Sequence, residues 1–145
     1  MSRTIERFTD HVAELAKLGQ LQSPCLAMSR AVIREKAAAI GSGLPGTQVY
    51  YAVKANDDPE VIRTVAETGL GFEIGSMSEL NAVMHLGVPV EKVISSNPIK
   101  APEFIQYAFN RGVRMYTFDS RAEVDKLVKL APGCEAILLL AVPNE

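Results

Sequence analysis

The sequence has no tryptophan, only 6% aromatic residues, and only two cysteines and two histidines among its 145 residues. Cys25 and Cys134 lie too far apart for a Cys-x-x-Cys metal or redox motif, and we expect both to be reduced, buried, small apolar residues. His11 and His85 have no companions at ligand spacing, whereas a zinc site needs three or four converging ligands. The sequence therefore predicts neither a disulfide framework nor a metal site.

An excess of either charge is also lacking, because 15 Lys+Arg face 17 Asp+Glu for a formal net charge of −2. Nucleic acids and anionic membranes bind concentrated positive surfaces, so we expect neither as a partner. No apolar run approaches the roughly 18 to 20 residues that span a bilayer. Residues 1–20 lack the apolar segment of a signal peptide, and a cytoplasmic location is the expectation.

From Thr47 onward, short β-branched or aromatic runs alternate with longer amphipathic stretches. One repeat takes about 22 residues, enough for a strand, a short helix and two loops. Strands that alternate with helices over short loops predict a parallel sheet of the α/β class. The nearly continuous apolar runs 49–53 and 136–142 are typical of parallel strands buried on both faces. The candidate strands centre near Ala52, Phe72/Glu73, Ile94, Tyr116 and Leu138.

Capping residues mark the boundaries of the intervening helices. Asp58-Pro59-Glu60 and Pro102-Glu103 combine a proline with an acidic residue, which favours a helix start. Ser76 to Glu79 and Ser120 to Glu123 have the spacing of a capping box. Helix ends are predicted where a glycine follows an apolar helical face, at Gly69, Gly87, Gly112 and Gly133.

Two further helices are predicted upstream of the repeats. A second helix is expected over residues 30–40, after an extended segment at 24–28. The loop that follows, residues 41–46, matches G-x-G-x-x-G by letter. It follows a helix and precedes a strand, the reverse of the dinucleotide-binding context, so we predict no nucleotide site there. The first helix has one apolar face, made of Ile5, Phe8, Val12 and Leu15.

Two architectures accommodate five strand–helix steps: an open doubly wound sheet, or consecutive strands of a (β/α)8 TIM barrel. Polar residues at strand ends favour the barrel, which keeps its chemistry at the carboxyl ends of its strands. Asn97 before a proline is also ordinary turn chemistry, and Asp119 could help to cap a helix. The polar residues concerned are Lys54, Glu73, Asn97 and Asp119.

Lys54 is the candidate nucleophile. It follows the run 50–53, and strand alternation puts it on one face with Ala52, whose small side chain leaves room for a flat ligand. A lysine in a partly dry site loses its proton readily and can form a Schiff base with a carbonyl. Glu73 could pair with Lys54 and set its protonation. From the residues alone, a solvated lysine and a structural ion pair remain open as alternatives.

Several short motifs occur together in a fixed order. They are Ser23-Pro24-Cys25-Leu26, residues 51–57 (YAVKAND), residues 71–76 (GFEIGS) followed by Glu79-Leu80, Asn97-Pro98-Ile99-Lys100, and Thr117-Phe118-Asp119-Ser120. Over residues 22–142 this pattern resembles the N-terminal part of the fold-type III pyridoxal-phosphate-dependent decarboxylases, the family of ornithine/lysine, arginine and diaminopimelate decarboxylases. Gly87-Val88-Pro89 and residues 97–100 look most similar to the ornithine/lysine branch. The residues after Lys54 differ from the Tyr-Gly-His type of alanine racemases, which share the fold.

The resemblance implies a role for each candidate site residue. Lys54 would form the Schiff base with pyridoxal phosphate (PLP), and Ala52 and Glu73 would lie against the cofactor. The substrate would be a small basic amino acid that loses carbon dioxide, with the cofactor as electron sink. Two residues depart from the family pattern. Glu73 stands where aspartate is usual, and Leu139 stands where the family commonly has an arginine that points to the cofactor.

The resemblance also implies a domain organisation. Residues 1–21 would form an N-terminal helical segment, and residues 22–145 the N-terminal portion of the PLP-binding barrel domain. Family members are longer, so about five strands make a partial (β/α)8 barrel, and we expect the isolated chain to lack turnover and to form a homo-oligomer through exposed strand edges. The departures at Glu73 and Leu139 leave open a non-catalytic homologue used for binding or regulation. A racemase or PLP carrier of the same fold fits less well.

Overall fold

The computed structural model describes residues 2–142, which divide into two compact units between Pro45 and Gly46. The first unit contains helix α1 (Arg3–Lys17) and helix α2 (Arg30–Gly43), and residues 18–29 between them form neither helix nor strand. Because α2 runs past residue 40, the first half of the G-x-G-x-x-G segment is helical rather than a loop. A domain boundary after residue 21 stays a prediction, and residues 143–145 of the predicted barrel portion lie outside the described residues.

The second unit is a parallel sheet whose five strands are hydrogen-bonded in chain order, β1-β2-β3-β4-β5. A doubly wound sheet reverses its strand order at a switch point, whereas a barrel adds each strand beside the previous one. The order therefore confirms the predicted partial barrel. The elements are β1 (Tyr50–Ala52), α3 (Pro59–Glu67), β2 (Gly71–Ile74), α4 (Met77–His85), β3 (Val93–Ser95), α5 (Pro102–Asn110), β4 (Met115–Phe118), α6 (Arg121–Leu130) and β5 (Glu135–Leu138).

The sheet has one closed face and one more open face. On the closed face, which we call the core face, Phe72 and Tyr116 are fully buried. The other face, called here the open face, carries Ala52 beside Glu73, and Glu73 beside Ile94. Alternation along each strand separates the two sets. The helices add buried apolar residues to the core, namely Ile62, Val65, Leu80, Val83, Ile105, Ala108 and Leu127.

Most of the predicted helix boundaries are confirmed. The Asp58 carboxylate accepts a hydrogen bond from the Glu60 N–H at 2.8 Å, and the Ser76 hydroxyl accepts one from the Glu79 N–H at 3.2 Å. The Glu79 carboxylate in turn accepts from the Gly75 N–H at 2.7 Å. The four glycines predicted to end helices all have positive φ angles, which L residues rarely adopt.

The predicted capping box at α6 is wrong. Ser120 makes no side-chain hydrogen bond at the start of this helix. Glu123 instead points into the protein and is 3% exposed. A carboxylate buried to this extent needs partners, and two lysines supply them. Spacing alone could not distinguish this long-range use of Glu123 from a local cap.

The burial expected for β5 and for the cysteines is also wrong. Strand β5 lies at an edge of the described sheet, and its residues are exposed, with Leu138 at 51% and Leu140 just beyond it at 70%. An edge strand has a neighbour on one side only, so it cannot be covered as a central strand is. Cys25 is exposed because it lies in the irregular segment between α1 and α2, and Cys134, in the turn before β5, is half-buried.

Lys100, in the loop between β3 and α5, holds a buried ammonium group. The residue is 3% exposed. Its Nζ donates hydrogen bonds to the carbonyl oxygens of Asn97 (3.0 Å), Pro98 (3.2 Å) and Thr117 (2.6 Å). It also forms an ion pair with the Glu123 carboxylate, with 3.2 Å between Nζ and Oε2. Every donor of this ammonium therefore has a protein acceptor.

Glu123 joins this ammonium to a second one. Its Oε2 accepts the backbone N–H of Lys100 at 3.3 Å, and its Oε1 pairs with Nζ of Lys126. Lys126 donates to the carbonyl oxygen of Lys100 at 2.5 Å. Burial alone would raise the pKa of the Glu123 carboxyl, but the hydrogen bonds from Lys126 and Lys100 hold this pKa below its ordinary value. The ionised carboxylate is thus the form that the fold stabilises.

We expect Glu123→Gln to lower the free energy of unfolding by about 3 kcal/mol at pH 7, because it removes one partner of a buried pair. A carboxyl with a lowered pKa in the folded chain stabilises the fold above its unfolded pKa, near 4.3, and loses this contribution as the pH falls through the folded value. The difference between wild type and variant in urea titrations should therefore shrink below about pH 4.

Asp125→Asn is the matched control, since Asp125 pairs with Arg121 at the surface, where the two side chains are 58% and 87% exposed. Its effect should stay below about 1 kcal/mol. A Glu123→Gln deficit that is constant from pH 7 to pH 3 would contradict the assignment of the lowered pKa to this pair.

Candidate active site

The four polar residues singled out from the sequence lie at or near one edge of the sheet. Lys54 follows β1 by two residues, Asn97 follows β3 by two, and Asp119 directly follows β4. Glu73 is the third of the four residues of β2. Because all strands are parallel, their carboxyl ends meet at this edge, as the barrel hypothesis requires. We refer to it as the carboxyl edge.

Lys54 lies in a 3-10 turn, Val53–Ala55, and not on the strand itself. Strand alternation ends at Ala52, so it does not establish the face shared with Ala52 that the sequence predicts. Val53 is fully buried and Lys54 is exposed, which leaves the amine accessible from solvent. The turn is fixed by two hydrogen bonds, from the Asn56 N–H to the Val53 carbonyl (3.1 Å) and from the Tyr51 hydroxyl to the Asn56 carbonyl (3.0 Å).

Glu73 is a buried carboxylate on the open face, next to Ala52. It is 7% exposed, and within residues 2–142 it forms no hydrogen bond or ion pair, including none with Lys54. Among the described residues only Ser95 Oγ is fully enclosed without a partner, so the Glu73 carboxylate oxygens keep contact with water. Its position between the small Ala52 and Ile94 therefore provides an acceptor that a ligand could satisfy.

Leu139 continues the open face beyond the end of β5. Its N–H donates to the Phe118 carbonyl at 2.8 Å, which extends the pairing of β4 and β5 by one step. Alternation from Ile137 then puts Leu139 on the same face as Glu73. Leu139 is 51% exposed, so the burial that its apolar character suggests is wrong. The open face thus has an apolar residue where the family resemblance implies an arginine.

Asn97 ties the loop after β3 to the loop after β2. Its Nδ2 donates to the Gly75 carbonyl at 3.4 Å. A Cβ atom at position 75 would lie 2.7 Å from this Nδ2, so only glycine permits the approach. Asp119 is exposed at its strand end and does not take part in this contact. Asn97 is therefore a structural link at the carboxyl edge.

Lys100 and Glu123 belong to the same edge but were not among the sequence candidates. Turn formation explains the asparagine-proline pair before Lys100, and a helix cap explains the spacing of Glu123. Because both patterns have local explanations, the sequence gives no sign of the contact between Lys100 and Glu123. Among residues 2–142 no group of three or more His, Cys, Asp or Glu could hold a metal ion. Within the same span, no helix combines the length and the apolar character needed to cross a membrane.

Comparison with known proteins gives a family match over most of the chain. The sequence model described as "Pyridoxal-dependent decarboxylase, pyridoxal binding domain" matches residues 30–145. The chain is 44% identical to ornithine decarboxylase of Caenorhabditis elegans and 38% identical to antizyme inhibitor 2 of Homo sapiens, each over 101 residues, or 70% of this chain. It is 34% identical to lysine/ornithine decarboxylase of Selenomonas ruminantium over 133 residues, or 92% of this chain. The matches cover 24%, 22% and 33% of these relatives, so the chain spans between about a fifth and a third of their length.

Solved structures share the fold. Lysine decarboxylase from Selenomonas ruminantium matches with a TM-score of 0.84 and 32% identity, over 99% of this chain and 36% of that one. Lysine/ornithine decarboxylase from Vibrio vulnificus complexed with putrescine gives 0.81 and 29%, over 88% and 35%. SrLDC in complex with PLP and cadaverine gives 0.83 and 32%, over 98% and 35%.

These matches confirm the family resemblance carried by the five sequence motifs, and their names confirm the ornithine/lysine branch. The coverage also agrees with a partial barrel, since about a third of each solved chain corresponds to this one. The chain therefore belongs to the pyridoxal-dependent decarboxylases of the ornithine/lysine branch, and residues 30–145 match the pyridoxal-binding domain of that family.

Proposed function

We propose that this chain is the N-terminal PLP-binding part of a decarboxylase that acts on a small basic amino acid of the ornithine or lysine type, with Lys54 as the residue that attaches the cofactor. The observation that carries the proposal is an accessible lysine at the carboxyl edge of a pyridoxal-binding domain. The substrate class is supported by solved relatives that are named for complexes with putrescine and cadaverine, both basic amines.

The residues at the carboxyl edge suit an aromatic aldehyde cofactor. Lys54 offers a primary amine that solvent can reach. Ala52, the last residue of β1, presents only a methyl group on the open face. Glu73 offers a buried carboxylate with no partner within residues 2–142. An amine, a small strand residue and a carboxylate acceptor are features that a flat, polar carbonyl compound could use.

Each residue would contribute a distinct physical effect. Lys54 would hold the cofactor covalently through its amine, which is nucleophilic in the neutral form, with the carbonyl oxygen of the cofactor leaving as water. Ala52 would allow a ring to lie close to the strand. Glu73 would bind a donor or cation at the site and disfavour a second negative group there. Bound PLP would supply an electron sink for the electrons released when carbon dioxide leaves.

Leu139 removes one source of positive charge from the open face. In its place the open face carries an apolar side chain that is 51% exposed. This departure supports a second candidate, a non-catalytic homologue that keeps the fold for binding or regulation. Antizyme inhibitor 2, a relative whose name is not that of an enzyme, is 38% identical to this chain. Other relatives are named as decarboxylases, which favours an enzyme over a non-catalytic homologue.

We also propose a cytoplasmic homo-oligomer. The support is a continuous apolar stretch at the exposed edge strand, where Leu138, Leu139 and Leu140 are 51%, 51% and 70% exposed. Apolar residues in this arrangement favour pairing with another surface. The near-balanced charge offers little repulsion between copies.

The Lys54 assignment is tested by trapping. The chain is mixed with PLP, reduced with borohydride and digested, and the modified lysines are quantified by mass spectrometry. We expect Lys54 to be modified at least about fivefold more than Lys129, which is exposed on α6, because the site favours attack by its own amine. Lys54→Arg should abolish the excess and leave Lys129 unchanged. Equal modification of the two lysines in wild type would overturn the proposal.

The role of Leu139 is tested by restoring the cation. Leu139→Arg places a guanidinium on the open face, and we expect about a threefold to tenfold gain in PLP trapped at Lys54, since a charge-assisted hydrogen bond would hold an anionic cofactor. Leu138→Arg is the matched control because it lies on the opposite face. A gain with neither variant would favour the non-catalytic homologue, and an equal gain with both would contradict a specific role for position 139.

Self-association is tested by light scattering at several concentrations. Leu140→Asp should shift the chain toward monomer, because it puts a charge in the exposed apolar stretch. Ile99→Asp is the control, since Ile99 is 74% exposed but lies in the loop after β3, away from β5. Wild type that remains monomeric at high concentration would exclude association through β5.

A further inference from the structure

The ammonium of Lys100 connects two consecutive β–α units at the carboxyl edge, β3–α5 and β4–α6. It binds the Asn97 and Pro98 carbonyls in its own loop, the Thr117 carbonyl in β4 and the Glu123 carboxylate in α6. Its side chain is fully buried. A ligand therefore cannot contact the ammonium, and Lys100 can act only through the groups to which it is hydrogen-bonded.

Asn97 passes this restraint to the loop after β2. The backbone carbonyl of Asn97 accepts from Lys100, and its side chain donates to the Gly75 carbonyl. The Gly75 N–H is bound by Glu79, so both sides of Gly75 are fixed. Gly75 lies two residues beyond Glu73, the unpartnered carboxylate of the open face. A continuous set of contacts therefore runs from Lys100 to the segment that carries Glu73.

Stability alone is a poor explanation for this lysine. Burying an ion pair brings little net free energy, and well-packed apolar residues of the same volume are often as stable or more so. What an ammonium adds is direction: it attracts several carbonyl oxygens to one point and so fixes the backbones that carry them. The value of Lys100 would then lie in the geometry of the edge.

We propose that Lys100 is a positioning residue for the cofactor end of the sheet, because its ammonium holds the Asn97 turn against β4 and α6 and, through Asn97, fixes the loop that follows Glu73. The inference rests on the proposed binding of PLP at this edge. It assigns to a buried residue other than Lys54 a part in how the site is held.

The first test measures loop order without the cofactor. In Lys100→Met, which keeps the volume of the side chain, we expect hydrogen exchange at the Gly75 N–H to rise about tenfold through local opening, and exchange at the Asp58 N–H to change less than about twofold. Asp58 lies in the loop after β1 and donates to Asn56, outside the contacts of Lys100. Equal rises at both amides would mean general loosening and would overturn the proposal.

The second test asks whether the charge is what matters. Lys100→Ala leaves a space the size of propylammonium, and adding this cation should restore Gly75 protection, whereas 1-propanol should not. Restoration by both compounds would show that volume alone is needed and would overturn the proposal. If Lys100→Ala does not fold, Lys100→Met still decides the question through the exchange comparison.

The third test connects the restraint to the site by trapping PLP in the absence of added amine. In Lys100→Met the excess of labelling at Lys54 over Lys129 should fall at least about threefold, since the site is no longer held in one geometry. Lys92→Ala is the matched control. Lys92 also donates to a backbone carbonyl, but its acceptor is Gly69, which precedes β2 and so lies at the opposite edge of the sheet.

The outcomes separate the two proposals. Absence of Lys54 labelling in wild type would overturn the proposed function and this inference with it. Normal labelling in wild type that is unchanged in Lys100→Met would overturn the inference alone. Loss of labelling in both Lys100→Met and Lys92→Ala would indicate a general defect and would likewise reject a positioning role for Lys100.

Discussion

Parallel pairing of consecutive strands is the constraint on which the rest of this molecule depends. Each strand lies beside the next one along the chain, so residues more than twenty positions apart meet at one edge. Every crossover returns over a helix, which leaves one face of the sheet for the core and the other for chemistry. Ala52, Glu73 and Ile94 become neighbours only for this reason, and the same geometry puts Lys54, two residues after β1, at the carboxyl edge.

The sequence was most informative where structure is local. Glycines after apolar helical faces, the cap at Asp58 and the strand rhythm all predict elements that the fold contains, because each depends on a few adjacent residues. Prediction was wrong where a distant partner decides. Glu123 has capping-box spacing but binds Lys100, and β5 has a core-like composition but lies at an edge. For Lys54 the predicted face stays a prediction, because a turn begins after Ala52 and strand alternation no longer applies there.

The two buried charges of the carboxyl edge have opposite environments. Lys100 is saturated by three carbonyl oxygens and a carboxylate, which makes it part of the framework. Glu73 has no such partner within residues 2–142, and its place as a polar residue near the end of an apolar strand singled it out before the family resemblance gave it a role. A saturated charge fixes geometry, whereas an unsatisfied one is available to a ligand. The distinction separates scaffold from site without reference to catalysis.

The burial of Lys100 has a consequence for chemical selectivity. Lys54 and Lys100 are both near the carboxyl edge, and both carry the same functional group. An aldehyde that diffuses to this edge meets only one of them, because Lys100 has no exposed side-chain surface and, as an ammonium whose three N–H groups are shared among four oxygen acceptors, has no lone pair to offer. The fold thus protects Lys100 from the aldehyde by burying it. The aldehyde then needs no chemical preference between the two lysines, because only Lys54 is accessible.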